Sequence, residues 1–211
     1  MTVPFERAAT WGHGFVTGLL VGILVAGLVC ANVSHAEPEC DRHEFTDRAG
    51  RCTMKHDAPR PSWRDEDRDC QKTRHEILLR DAIGPVRLSD DGCRVVWGLW
   101  GDPYTGEWIV GPPHGPIQIE HVVPRSYAQS GKRWTREEFE RFFNDPRNLI
   151  VSGTAENQKK GSKGPSEYLP PHEAFRCTYT AIFSEVTKRY GITVKPLDRL
   201  VLAEWAERCR Q

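Results

Sequence analysis

Apolar and polar positions change rhythm several times along this chain, and each change predicts an element. Residues 15–33 read FVTGLLVGILVAGLVCANV and carry no charge. Residues 37–75 then contain no Ile, Leu or Val, and their charge is densest in the run Arg64-Asp65-Glu66-Asp67-Arg68-Asp69. Such a stretch predicts a linker or a loop-rich lobe. Ile77, Leu78, Leu79 and Ala82 suit a short helix over 73–82, broken by Gly84-Pro85. Residues 93–100, CRVVWGLW, are β-rich in composition, and Gly101-Asp102-Pro103-Tyr104-Thr105-Gly106 is a turn sequence. Residues 117–123, IQIEHVV, alternate at first and predict a strand stopped by Pro124.

The second half reads as helices around one more strand. Thr135-Arg136-Glu137-Glu138 has the capping-box pattern and opens a helix with Phe139, Phe142 and Phe143 on one side. Asn144-Asp145-Pro146 ends it, and Asn148 begins a short strand over 148–151. Thr154 can cap a helix through Lys160 that Gly161 terminates. Two further helices are expected over 175–190 and 197–210. The order of elements places the chain in the α+β class.

Composition adds a compartment. The apolar run ends at Ser34-His35-Ala36, a small-x-small triplet, which is the pattern of a secretory signal peptide cleaved after Ala36. The run also approaches the length of a membrane span, so an uncleaved signal anchor is the competing expectation. Cleavage removes Cys30 and leaves Cys40, Cys52, Cys70, Cys93, Cys177 and Cys209. An even count behind an export signal predicts disulfide staples and a secreted or periplasmic location, and the spacing leaves the pairing open. Lys plus Arg and Asp plus Glu are 29 each, so the formal charge is zero and a whole-surface polycation is excluded. A phosphate site must be local.

Candidate chemistry lies between Glu120 and Lys160. Glu120 and Asn157 offer the oxygen ligands that a hard cation such as Mg²⁺ takes, with water filling the other positions. His121 can accept a proton from an attacking water near neutral pH. Asn148 begins the neighbouring strand, and Lys160 can meet a phosphate oxygen. Together these parts make a phosphodiesterase site. Singly, each has an ordinary reading: a Glu-His pair is usually a surface contact, and Asn usually serves turns or caps. Arg125, Lys132, Arg133, Arg136 and Arg147 form either a patch that tracks phosphates or a solvated face.

Order and spacing add a resemblance. Ile119-Glu120-His121-Val122-Val123-Pro124, then Asn144-Asp145-Pro146-Arg147-Asn148-Leu149-Ile150, then Asn157-Gln158-Lys159-Lys160-Gly161 resemble the HNH endonuclease family, with its ββα-metal fold. The likeness is greatest to the secreted and restriction-associated branch with a C-terminal HNH-type domain. Tyr168 stands where Trp is expected in that branch, and the zinc knuckles of some members are missing.

The resemblance implies an HNH-type nuclease domain over 76–211 with additional flanking helices, after a signal segment at 1–36 and the charged stretch 37–75. It implies His121 as general base and Asn148 as the residue that orients it. Glu120, where many members have Asp, and Asn157 are implied as ligands of one divalent cation, Mg²⁺ first and Mn²⁺ or Ca²⁺ as alternatives. Lys160, Arg125 and Arg147 are the expected phosphate contacts. The implied activity is low-specificity phosphodiester hydrolysis of DNA, or of RNA, leaving 5′ phosphates. No obligate protein partner is expected, and a membrane is involved only if the leader stays uncleaved. The rival reading from another class is a catalytically silent, extracytoplasmic binding module for nucleic acid or protein on the same fold.

Overall fold

The computed structural model describes residues 61–210, together with the backbone of two short strands before them, β1 (Phe45–Thr46) and β2 (Cys52–Thr53), which pair antiparallel. All of these lie within one compact unit, Glu37–Gln211. The leader expected at 1–36 and the side chains of Cys40 and Cys52 lie outside the described residues. Among the described residues, no helix is long and apolar enough to cross a membrane.

Helix α1 (Thr73–Arg80) leads into a three-stranded antiparallel sheet of β3 (Arg87–Leu88), β4 (Val95–Gly101) and β5 (Trp108–Gly111). A second antiparallel pair joins β6 (Ile117–His121) to β7 (Leu149–Gly153), with Glu120 opposite Ile150 and His121 opposite Leu149. Between these two strands the chain makes α2 (Arg125–Gly131), α3 (Arg136–Phe143) and a 3₁₀ turn, Pro146–Asn148. Helix α4 (Thr154–Lys160) follows β7 directly and packs on β6. The chain then runs through α5 (Glu173–Tyr190) and α6 (Pro196–Arg208). The architecture is mixed α and β.

The β6–β7 pair is covered on both sides. Ile117, Ile119, Leu149 and Val151 bury against Ile77 and Leu78 of α1 and against Val95 and Trp100 of β4. Strand alternation turns Gln118 and Glu120 the other way, toward α4. A second cluster, with Phe139, Phe142, Tyr179, Phe183 and Val186, joins α3 to α5. Two disulfides staple the described residues: Cys70–Cys93 ties the segment before α1 to the start of β4, and Cys177–Cys209 ties α5 to the end of α6.

The local signals explain most of these elements. Both bonds of the capping box at Thr135 are formed, with its hydroxyl accepting from Glu138 N–H and the Glu138 carboxylate accepting from Thr135 N–H. Gly161 ends α4 at φ +54°, a conformation that favours glycine. Two expectations need correction. Asn148 closes the 3₁₀ turn, and the strand starts at Leu149. Gly153 is the N-cap of α4, while Thr154 is its first residue and hydrogen-bonds the Gly115 carbonyl. Helix α2 and strands β3 and β5 were not anticipated.

Asp198 is the polar knot that holds the C-terminal helices to this frame. Its side chain is fully buried near the start of α6. It accepts hydrogen bonds from Ser166 N–H (2.8 Å), Ser166 Oγ (2.6 Å) and Tyr127 OH (2.6 Å). Gly164 is required beside it, because a Cβ there would stand 2.3 Å from Asp198 Oδ2. Burial alone would raise the carboxyl pKa, but the donors outweigh it and hold the pKa below its ordinary value. The resulting stabilisation is complete above the unfolded carboxylate pKa near 3.9 and is lost as pH falls through the lower folded value. Asp198→Asn should therefore lose about 2 kcal/mol near neutral pH. That difference should shrink in acid, as paired urea titrations at pH 7 and pH 3 would reveal.

Candidate active site

The end of β6 delivers Glu120 and His121 to one cleft, and three other elements hold them there. Asn148 extends the strand pairing past its last residue. Its carbonyl accepts from Val122 N–H at 2.9 Å, and its side-chain oxygen accepts from Val123 N–H at 2.8 Å. Its amide nitrogen donates to the Val123 carbonyl at 3.2 Å. Asn148 is wholly buried, so it acts on the backbone after His121 and does not face the cleft.

His121 is only 7% exposed. Its Nε2 lies 2.9 Å from the Phe143 carbonyl. A carbonyl can only accept, so Nε2 carries the proton and Nδ1 is left as the ring's acceptor. Burial first, then the charges of Arg125 and Lys160, bring the imidazole pKa down to about 3 against the opposing effect of that carbonyl. The ring is neutral at physiological pH. Trp63 stacks near-parallel on it at 5.9 Å and 18°, with Phe142 at 6.1 Å and Phe143 at 4.9 Å.

Glu120 is 5% exposed and Lys160 0%. The Lys160 ammonium bonds the Glu120 carboxylate and also the His121 carbonyl, at 3.1 Å. Burial raises the Glu120 pKa and lowers that of Lys160, and in each case the partner's charge opposes the shift. Lys160 was expected at a substrate phosphate; the structure turns it inward. Asn157 donates from its Nδ2 to Gln118 Oε1 at 2.7 Å, which leaves its side-chain oxygen to accept a hydrogen bond or ligate a cation.

The cleft has a volume of about 1270 Å³. Glu120, His121, Arg125 and Asn157 line it together, so four of the seven expected residues converge. Lys160 and Asn148 lie behind the wall. Arg147 is on the surface beside Asp145, at 3.7 Å, and does not line the cleft. Arg74, Arg136 and His114 add positive or ionisable groups to the lining, and Trp63 adds an aromatic one. Arg74 and Trp63 were missed in the sequence. Trp63 left one trace, as the one tryptophan within a stretch without Ile, Leu or Val. Asp102 and Tyr104, read as part of a turn sequence, hold the fold: Asp102 accepts from Gly153 N–H at 3.0 Å, and Tyr104 is buried in the core.

Residues 72–196 match the C-terminal domain of the GmrSD restriction endonucleases. The chain belongs to this HNH-associated family. It is also 32% identical over 154 residues to an uncharacterized secreted protein of Arthroderma benhamiae, a match covering 71% of this chain and 72% of that one. No solved structure matches. The matched segment contains Glu120, His121, Asn148, Asn157 and Lys160, whereas Trp63 and Cys70 precede it.

The Glu120–Lys160 pair sets a stability expectation. Lys160→Met leaves a carboxylate buried without its partner and should lose about 3–5 kcal/mol. Lys160→Met combined with Glu120→Gln should lose less than the single change, because no uncompensated charge remains. Chemical denaturation of wild type, both single variants and the double variant at pH 7 tests this; losses that simply add would show the two groups to be uncoupled.

Proposed function

We propose that this chain is an exported, metal-dependent endonuclease that hydrolyses phosphodiester bonds, with DNA the first substrate to test and RNA the second. The convergence of His121 with Glu120 and Asn157 on one cleft carries the reading, and membership of a restriction-endonuclease family supports it. Strands β6 and β7 with helix α4 would be its ββα-metal core, and residues 76–211 its catalytic domain. The secreted relative and the disulfides support an extracellular location.

The donor set fits a hard cation. Glu120 supplies carboxylate oxygen and Asn157 an amide oxygen, and Mg²⁺ takes one or two such ligands while keeping several waters. Neither residue is a soft ligand, so Mg²⁺, Mn²⁺ or Ca²⁺ suits the site better than a thiolate metal. When bound there, the cation supplies positive charge for the phosphoryl and leaving oxygens.

The protein's own groups do the rest. His121 is neutral, and its Nε2–H is committed to the Phe143 carbonyl, so Nδ1 takes the proton from the attacking water. Asn148 fixes the backbone from which the ring projects. Lys160 holds Glu120 by one face of its carboxylate and keeps helix α4, with Asn157, against the strand. Arg125, Arg74 and Arg136 draw the phosphate backbone into the cleft, which a protein of zero net charge needs locally. Arg147 lies outside this group, and any phosphate it meets is further along the strand.

The test is a plasmid-nicking assay on chain produced in an oxidising compartment, with and without Mg²⁺, beside His121→Ala. Metal-dependent cutting should fall by about 10²–10⁴-fold in the variant. Asn157→Ala should raise the metal concentration needed for half-maximal rate. If neither plasmid nor RNA is cut by folded protein across Mg²⁺, Mn²⁺ and Ca²⁺, the nuclease reading is wrong and a silent binding module takes its place.

A further inference from the structure

The wall of the cleft over His121 comes from outside the family-matched segment. Residues 61–71 form a strap that crosses the site before α1 begins. Trp63 lies on this strap, 4.6 Å from the Phe143 ring and stacked on His121. The strap is fastened at several points. Asn144 donates to the Ser62 carbonyl at 3.1 Å and accepts from Arg64 N–H at 3.0 Å. The Arg64 guanidinium pairs with Glu140 of α3. The Arg64 carbonyl accepts from Thr73 N–H and Thr73 Oγ1, and Cys70 is bonded to Cys93.

Asn144 directly follows Phe143, whose carbonyl accepts the His121 Nε2–H. One clasp thus anchors both the indole that covers the imidazole and the carbonyl that orients it. A neutral imidazole held only by a single hydrogen bond has other rotamers to visit. Trp63 at 5.9 Å and Phe142 at 6.1 Å both lie near-parallel to the ring, and Phe143 packs at 4.9 Å.

We propose that Trp63 is a positioning residue for His121: the strap keeps the imidazole on the Phe143 carbonyl, so that Nδ1 stays the proton acceptor of the site. This rests on the reading of His121 as the base. Removing the indole opens space beside the ring, admits water that competes for Nε2–H, and spreads the ring over orientations that do not react. Misplacement of that kind lowers the rate of the chemical step more than substrate binding.

The experiment uses the full chain with Trp63→Ala, Trp63→Phe and Arg64→Ala. Trp63→Ala should lower kcat by about 10- to 100-fold while KM stays within about threefold. Trp63→Phe, which restores an aromatic wall, should recover most of that loss. Arg64→Ala loosens the strap at a half-exposed arginine and should give a smaller loss, which keeps the test open if Trp63→Ala fails to fold. A second readout does not need turnover. The His121 Nε2–H should appear in ¹⁵N-resolved NMR as a slowly exchanging proton in wild type and Trp63→Phe, and should exchange rapidly in Trp63→Ala. A kcat unchanged in Trp63→Ala, a loss wholly in KM, or a ring proton equally protected without the indole would each overturn the proposal. Absence of cutting by wild type would sink the nuclease reading instead, and the ring proton would still decide whether the strap holds His121.

Discussion

A buried ammonium holds this site together. Lys160 has no contact with water and divides its donors between the Glu120 carboxylate and the His121 backbone carbonyl. Taking both ions out of water costs several kcal/mol each, and an apolar pair of the same size would hold the elements at least as well. What apolar side chains would not give is direction. The ion pair fixes a carboxylate on one face of strand β6, fixes the strand's last carbonyl, and pins the end of helix α4 so that Asn157 stands beside Gln118. The whole oxygen-bearing side of the cleft follows from that one placement.

The imidazole side has a different logic. His121 stands at the end of a strand whose partner is reached only after two helices and a 3₁₀ turn. The intervening chain returns in register, and Asn148 then imitates a further residue of the ladder with its side chain. Phe143, the last residue of α3, provides the carbonyl that sets the tautomer. The histidine ring is therefore oriented by a backbone carbonyl rather than by a carboxylate. It stays neutral, and a neutral, pre-oriented ring is the form that accepts a proton.

Much of this was legible in the chain. Alternation in Ile117-Gln118-Ile119-Glu120 gave the strand and its two faces, and the pattern Thr135-x-x-Glu138 gave a helix start whose two bonds both form. The helices expected over 175–190 and 197–210 match α5 and α6 to within two residues at each end. Helix α2 was hidden because Pro124 reads as a strand stop as readily as an N-cap, and few of its residues are buried. Strand β5 was hidden because Trp108 is 72% exposed and the strand has little alternation to show. At the site, spacing grouped Glu120, His121 and Asn157, and all three line one cleft. It gave no sign that Lys160 points inward, because lysine reads as polar whichever way it turns. Nor does spacing reveal a stack between Trp63 and His121, which depends on tertiary packing.

The Cys70–Cys93 bond closes a stretch of 23 residues that begins on the strap and ends at the central strand of the three-stranded sheet. In a reducing compartment such cysteines remain thiols. The strap then relies on its hydrogen bonds and on an ion pair whose arginine is partly exposed. The disulfide shortens the loop that the unfolded chain can explore and so favours the fastened strap. Under the nuclease reading, the segment that carries Trp63 over the proposed base is fully fastened only where disulfides form.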